Sequence, residues 1–332
     1  MELWFLLESQ RLMRPSFREF YGVRDALAAE REKRMQGPAA LYAAFAATAF
    51  EAHPYRNPLI GWPGDLSALR RADARAFVEK YYVPGNTSIT IVGDVNPAEA
   101  RKMAAQYFGP WQAKPLPAPI RTQEPPQLGP KTAVLETRGA LGGPNPPMLA
   151  LVGYRRPNQH DRDDPAFDVL QIALGQGKTG LLYKELVAEK RLAQGVQVRA
   201  TFPAGRYPNL FLFALSTAPG HTVEENQKAL EDFLNRLKLQ RLEEPVIARS
   251  KALARLTAIN RLAGNGGIAG MLAVYQANYG DWRKLFSEID DLNKVTAADL
   301  QRVMIKYFVP TGRTSAYTLV PGQAAPPAAG VK

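Results

Sequence analysis

The sequence predicts an α+β fold used twice: two tandem homologous domains, each a mostly antiparallel sheet packed with helices, the first of them incomplete. Three observations predict it. Helix-period and strand-period apolar stretches alternate along the chain. One helix–turn–strand unit recurs near the ends of the two halves, and a proline-rich stretch separates the copies.

The opening is helical. Leu3, Leu6, Leu7 and Met13 form a stripe from Leu3 to Arg14, which Pro15 ends. Ser16 can cap a second helix running through Phe20, Val23 and Leu27 to about Met35. Gly37–Pro38 opens a third, Ala39 to about Ala52, and the prolines at 54, 58 and 63 make 53–64 a loop. A helix over 72–82 stops at Val83–Pro84–Gly85, a strand is expected over Thr87–Val92, and Asn96–Pro97–Ala98–Glu99 starts a helix to about Phe108.

Residues 110–130 hold seven prolines and no periodic apolar pattern, the composition of a linker. Beyond it the spacing predicts strands near 132–136, 148–154, 194–202, 209–216 and 314–320. Helices are expected near 164–174, 179–190, 223–239, 244–262, 269–279 and 296–308. The domain reading is therefore 1–112, the remainder of a first domain; 113–130, linker; 131–322, a second domain; and 323–332, a frayed tail.

ADARAFVEKYYVP (72–84) matches ADLQRVMIKYFVP (298–310) in six of thirteen positions, and TSITIV (87–92) then faces TSAYTL (314–319). Chance reuse of a common helix–turn–strand unit is the alternative, and the intervening linker favours duplication. From Lys131, 167 residues precede Ala298, whereas 71 precede Ala72, a shortfall of 96. The first strands and first helix of the leading copy are expected to lie upstream of Met1. The second domain is then the more stable half, and a chain too short to fold stably is a further possibility.

Composition narrows the function. Apolar content of 46% and charged content of 22% belong to a folded globular chain. Zero cysteines exclude a disulfide framework, thiolate zinc ligands and a cysteine nucleophile. A net charge of +11 invites polyanions, but the basic residues are scattered and no nucleic-acid motif is present, so no nucleic-acid partner is expected. No apolar run is long enough for a transmembrane segment, and MELWFLLESQ lacks the basic start and small-residue cleavage site of a signal peptide. The compartment stays unknown, and is periplasmic if an upstream region carries an export signal.

His53, His160 and His221 each sit in loop-like surroundings, and H-x-x-E-H, H-E-x-x-H, G-x-S-x-G and the P-loop are absent. Gly175–Gln176–Gly177 follows a helix and reads as its C-cap and turn.

FREFYGVRDALAAEREKRM (17–35), AHPYRNPLIGWPGDL (52–66), KYYVPGNTSITIVGDVNPAEA (80–100), GQGKTGLLYKELVAEKRLAQGV (175–196) and LFLFALSTAPGHTVEE (210–225) resemble the insulinase, pitrilysin and mitochondrial processing peptidase family of zinc metallopeptidases. That family is built from tandem copies of one α+β domain. The resemblance implies an H-x-x-E-H carrying two zinc ligands and a base, with a distal Glu ligand later in the chain. Aligned on Arg24–Asp25, the distal ligand falls on Glu30, and H-x-x-E-H falls upstream of Met1, where the repeat also locates the missing piece. The alternative for Glu30, followed by Arg31, Glu32 and Lys33, is a solvated helix face; the second Glu that often precedes the ligand by seven residues is here Val23. In the second domain the family's substrate-gripping Arg/Tyr pair falls on Val187 and Gln194, and neither supplies an equivalent donor.

The resemblance thus implies a zinc-side subunit of a heterodimeric metalloendopeptidase acting on unfolded peptides, with a paralogous partner supplying the Arg/Tyr pair. Zn²⁺ is expected in the full-length protein and not on this chain alone, because a lone carboxylate cannot hold it against water. The rivals are a decayed site without a partner and a non-catalytic structural or peptide-binding subunit.

Overall fold

A computed structural model describes residues 1–136 and 148–319. The residues expected to form the tail, 323–332, lie outside them. In chain order the elements are α1 (Glu2–Met13), α2 (Phe20–Met35), α3 (Pro38–Ala49), α4 (Pro63–Ala68), α5 (Arg71–Tyr81), α6 (Pro97–Phe108), β1 (Lys131–Glu136), β2 (Leu149–Arg156), α7 (Asp164–Gly175), β3 (Ala193–Phe202), β4 (Asn209–Thr217), α8 (Val223–Leu239), α9 (Glu244–Arg261), α10 (Gly264–Tyr279), α11 (Lys284–Lys294), α12 (Ala297–Tyr307) and β5 (Arg313–Leu319). A π-helix, Tyr183–Glu189, stands where an α-helix over 179–190 was expected, and α11 was not foreseen. The chain divides into two compact units, one comprising 1–31, 60–121 and 259–285, the other 32–59, 122–258 and the residues from Phe286 onward.

The first unit is helical among the described residues. Its aromatic centre is Phe5 of α1, fully buried against Tyr107 and Phe108 of α6, with the Tyr107 hydroxyl donating to Glu2 at 2.6 Å. Asn96 caps α6 by accepting from the Ala98 and Glu99 amides, as the Asn-Pro signature predicts. The strand expected at 87–92 does not form: these residues are irregular. A strand exists only through its ladder, and no strand lies beside this segment among the described residues of the unit.

The second unit holds one mixed sheet in the order β1-β5-β2-β4-β3. β1 runs parallel to β5, and the remaining pairs are antiparallel. The central strands β2, β4 and β5 are buried nearly throughout, and β2 and β4 read as continuous apolar runs (LALVGY, LFLFAL) rather than as alternation. One face carries the larger core: Phe167, Leu170 and Leu174 of α7, Leu230 and Phe233 of α8, and Leu300, Val303 and Met304 of α12 close on Val152, Phe211, Phe213 and Phe308.

The other face is covered by α3, which lies within residues 1–112. Its Leu41, Phe45 and Ala49, spaced by one helical turn, pack on Leu151, Leu210, Leu212 and Ala316. Gly153 makes this possible. A Cβ there would stand 2.6 Å from the tip of the Phe45 ring, so only glycine lets the ring settle on the strand.

Candidate functional site

Of the two second-domain positions singled out by sequence, Val187 lies in the π-helix and Gln194 at the start of β3, on either side of one short connection. The π-helix is marked by its wide hydrogen bonding, with the Lys190 amide donating to the Glu185 carbonyl at 2.9 Å. Lys190 and Arg236 hold the Glu185 carboxylate at 2.7 and 2.6 Å. Burial alone would raise the Glu185 carboxyl; the hydrogen bonds from these two cations outweigh it and hold it below the usual range. Leu186 is fully buried, and Val187 packs half-buried against the same core. The side chain at 187 is thus spent on packing.

The chain then turns through Arg191, which adopts a left-handed φ of 56° without being glycine, a conformation held against a cost of about 1 kcal/mol or more. The Leu192 carbonyl is fixed by the Ala218 amide at 2.9 Å and the Asn226 side-chain amide at 2.8 Å. Next comes a β-bulge. Ala193 pairs with Thr217 and Gly195 with Ser216, so Gln194 is the extra residue and its side chain is exposed. A π-helix, a left-handed residue and a bulge within a dozen positions aim this connection, yet the groups it presents are a valine and a neutral amide.

Glu30 belongs to the other unit. It is exposed on α2, next to Arg31, whose guanidinium donates to the Gly61 carbonyl at 2.9 Å. Among the described residues, no three His, Asp or Glu side chains converge as a metal site would need. Among the described residues the donor set does not by itself fit a zinc ion. Of the histidines, His221 bonds Glu225 at 3.0 Å beside the capping box of α8, and His53 is buried.

Two buried charge clusters in the second unit have little or no signal in the sequence. Asp163, with a fully buried side chain, accepts from Arg302 at 2.8 Å and from the Tyr307 hydroxyl at 2.9 Å, with Lys306 at 3.5 Å. Burial opposes its charge, but these donors prevail and hold its carboxyl below the ordinary value. Glu124 accepts the amides of Glu51, Ala52 and His53 at 2.7, 3.0 and 2.9 Å and pairs with Arg155 at 2.9 Å. Its partners are spread over more than a hundred positions; the only hint is an acidic residue, Glu124, inside a Pro-rich stretch otherwise short of acids.

A family model described as "Peptidase M16 inactive domain" matches residues 68–253. The zinc protease PqqE of Helicobacter pylori is 30% identical over 304 residues, which cover 90% of this chain and 66% of that protein. The chain thus spans just under two thirds of that relative. The crystal structure of a protease from Helicobacter pylori superimposes with a TM-score of 0.86 at 27% identity, over 96% of this chain and 76% of that one. A peptidase M16 inactive domain from Pseudomonas fluorescens does so with 0.82 at 20% identity, over 98% and 76%, a likeness of fold. With the α+β sheet, the matched segment and these relatives in agreement, the chain belongs to the insulinase/pitrilysin (M16) peptidase family and carries its inactive domain.

Proposed function

We propose that this chain is the scaffold-bearing portion of a zinc metalloendopeptidase subunit that acts on unfolded peptides and is inactive alone. Residues 1–112 are read as what remains of the metal-side domain and 131–322 as the inactive one. In a protein of full family length, Glu30 would be the distal zinc ligand, with the other ligands supplied from outside this sequence. A paralogous subunit would contribute the cationic and phenolic donors that positions 187 and 194 lack. The observation that carries the reading is the pairing of an elaborately shaped connection, π-helix to bulge, with side chains that supply neither the cation nor the phenol of the family's pair, a valine that donates nothing and a neutral amide. One missing donor of that kind costs about 10²–10³ in rate. The edge strand β3, which follows the bulge, is a surface on which an extended peptide can add as a further strand.

The test is zinc content by elemental analysis together with hydrolysis of a quenched peptide, for this chain, for a version extended upstream, and for each mixed with its paralogue. Zinc and activity are expected only in the extended form, with activity rising when the paralogue is added, and Glu30→Gln is expected to abolish zinc retention in that form. Stoichiometric zinc and peptide cleavage by the present chain alone would refute the reading. A non-catalytic partner subunit is the second reading, favoured by Val187 and Gln194, and it prevails if the extended form binds no zinc.

A further inference from the structure

His53 is 3% exposed, and its Nε2 is wholly buried without a hydrogen-bond partner. It caps the short 3-10 turn Pro54–Arg56: its Nδ1 accepts the Tyr55 amide at 3.2 Å. An acceptor at Nδ1 is a deprotonated nitrogen, so the ring is the neutral tautomer carrying its hydrogen on Nε2. The rings of Tyr55 and Tyr207 stand 4.4 and 4.9 Å away and that of Phe50 stands 6.3 Å away. The Tyr55 hydroxyl in turn accepts the Tyr207 amide at 3.3 Å, so the turn after α3 holds the loop between β3 and β4. Behind it, Glu124 gathers three successive amides, and Arg155 reaches the Ala49 carbonyl while stacking on Phe50 at 4.7 Å.

We propose that residues 49–57 form an acid-released latch, in which a proton arriving at His53 Nδ1 breaks the Tyr55 cap and frees the Tyr207 loop and the Glu124 strap. Nδ1 is the one basic nitrogen of this tautomer, so the added hydrogen must face the Tyr55 N–H, donor against donor. The charged ring would sit among Phe50, Tyr55 and Tyr207 with no acceptor for either N–H. Among the charged groups around it, Arg155 on β2 opposes the new charge. Glu124 favours it but already accepts four donors. Arg56 and Lys131 are turned to Glu51, through its carbonyl at 2.7 Å and its carboxylate at 2.5 Å, and Arg206 flanks Tyr55. Burial is the largest influence and lowers the imidazole below the ordinary histidine value; Glu124 raises it and Arg155 lowers it further. A histidine depressed in the folded state contributes stability above its unfolded value and loses it as pH falls, so the latch opens on acidification.

Three histidines make the titration legible on the full chain by NMR of the imidazole C–H signals. The His53 signal is expected to titrate below the ordinary value. Over the same range the Tyr55 and Tyr207 amides should gain hydrogen exchange beyond solvent chemistry, by about tenfold per pH unit. His53→Asn supplies a side-chain oxygen to the same Tyr55 amide but cannot be protonated, so its exchange should follow solvent chemistry alone. A His53 signal that titrates at or above the ordinary value, or an asparagine variant that opens on acidification like the parent, overturns the proposal. The titration is read on the unmodified chain, so it decides even if the variant does not fold.

Discussion

Residues 71–92 and 297–319 follow one local plan and reach different ends. Each begins with a helix whose first turn is capped by an aspartate, Asp73 accepting the Arg70 amide at 2.8 Å and Asp299 the Thr296 amide at 3.0 Å. Each helix ends on an aromatic residue outside helical geometry, Tyr82 or Phe308, and each continues through Val-Pro into a single 3-10 turn. From there the second copy becomes β5, bonded on both sides, to β1 and β2, and the first stays irregular. The helix and turn follow from local signals: capping, the φ of proline, and the length of the apolar stripe. A strand does not, because its hydrogen bonds belong to its neighbours. Burial follows the ladder: Phe308 is 1% exposed among Tyr154, Phe211 and Phe213, whereas Tyr82 is 47% exposed.

The sharpest way to break this comparison is proline at the matched serines. Ser315 pairs with Thr132 and Val152 in the middle of the sheet, so Ser315→Pro removes a ladder bond, strands buried backbone groups and forces a ring into the core. A loss of more than about 5 kcal/mol is expected, enough to abolish cooperative urea unfolding of the second unit. Ser88→Pro, in the irregular copy, should leave the unfolding midpoint within about 0.5 kcal/mol of the parent. Equal losses would mean that 87–92 is paired after all.

A smaller contrast lies in the aromatics. Phe308→Ala empties a site enclosed by three rings and should cost about 3–5 kcal/mol by denaturant titration, against under about 1 kcal/mol for Tyr82→Ala.

The third contrast is electrostatic. Arg302 holds Asp163, but the matching residue in the first copy is Ala76. Asp163→Asn should lose about 2 kcal/mol at neutral pH. Asp163 is depressed in the folded state, so its contribution is present above the unfolded carboxylate value of about 3.9 and disappears as pH falls through the folded one. The variant and parent should therefore converge in acid. A difference that persists undiminished in acid would show that Asp163 acts through packing alone.

Much of this architecture was legible in residue order. Helix boundaries fell where Asn96, Thr222 and Thr296 cap and where prolines interrupt, because those effects reach only three or four residues. The burial of β4 was readable from LFLFAL. Other features depended on distant parts of the chain. The segment at 87–92 has strand composition without a strand to pair with. The π-helix differs from an α-helix by one residue per hydrogen bond, and LLYKELVAEK shows no such signal. The bulge at Gln194 is a property of pairing with β4. Amphipathic α11 carries Leu285, Ile289 and Leu292 at helical spacing, a period that is legible locally. At the candidate site, Val187 and Gln194 stand on either side of a connection whose geometry is written in backbone conformation rather than in side-chain type.

The sheet order has a consequence for how the molecule is made. β5 is the last strand among the described residues, yet it fills the slot between β1 and β2, two strands that do not touch each other. While the ribosome is still translating residues before Arg313, β1 has no neighbour, and β2 has only β4 on one flank. The nascent sheet is the three-stranded piece β2-β4-β3 with β2 as an open edge, and β1 joins it only across a sequence separation of more than 180 positions between β1 and β5. Until β5 arrives, Leu151, Val152 and their neighbours present an unpaired apolar edge to every other chain in the cell.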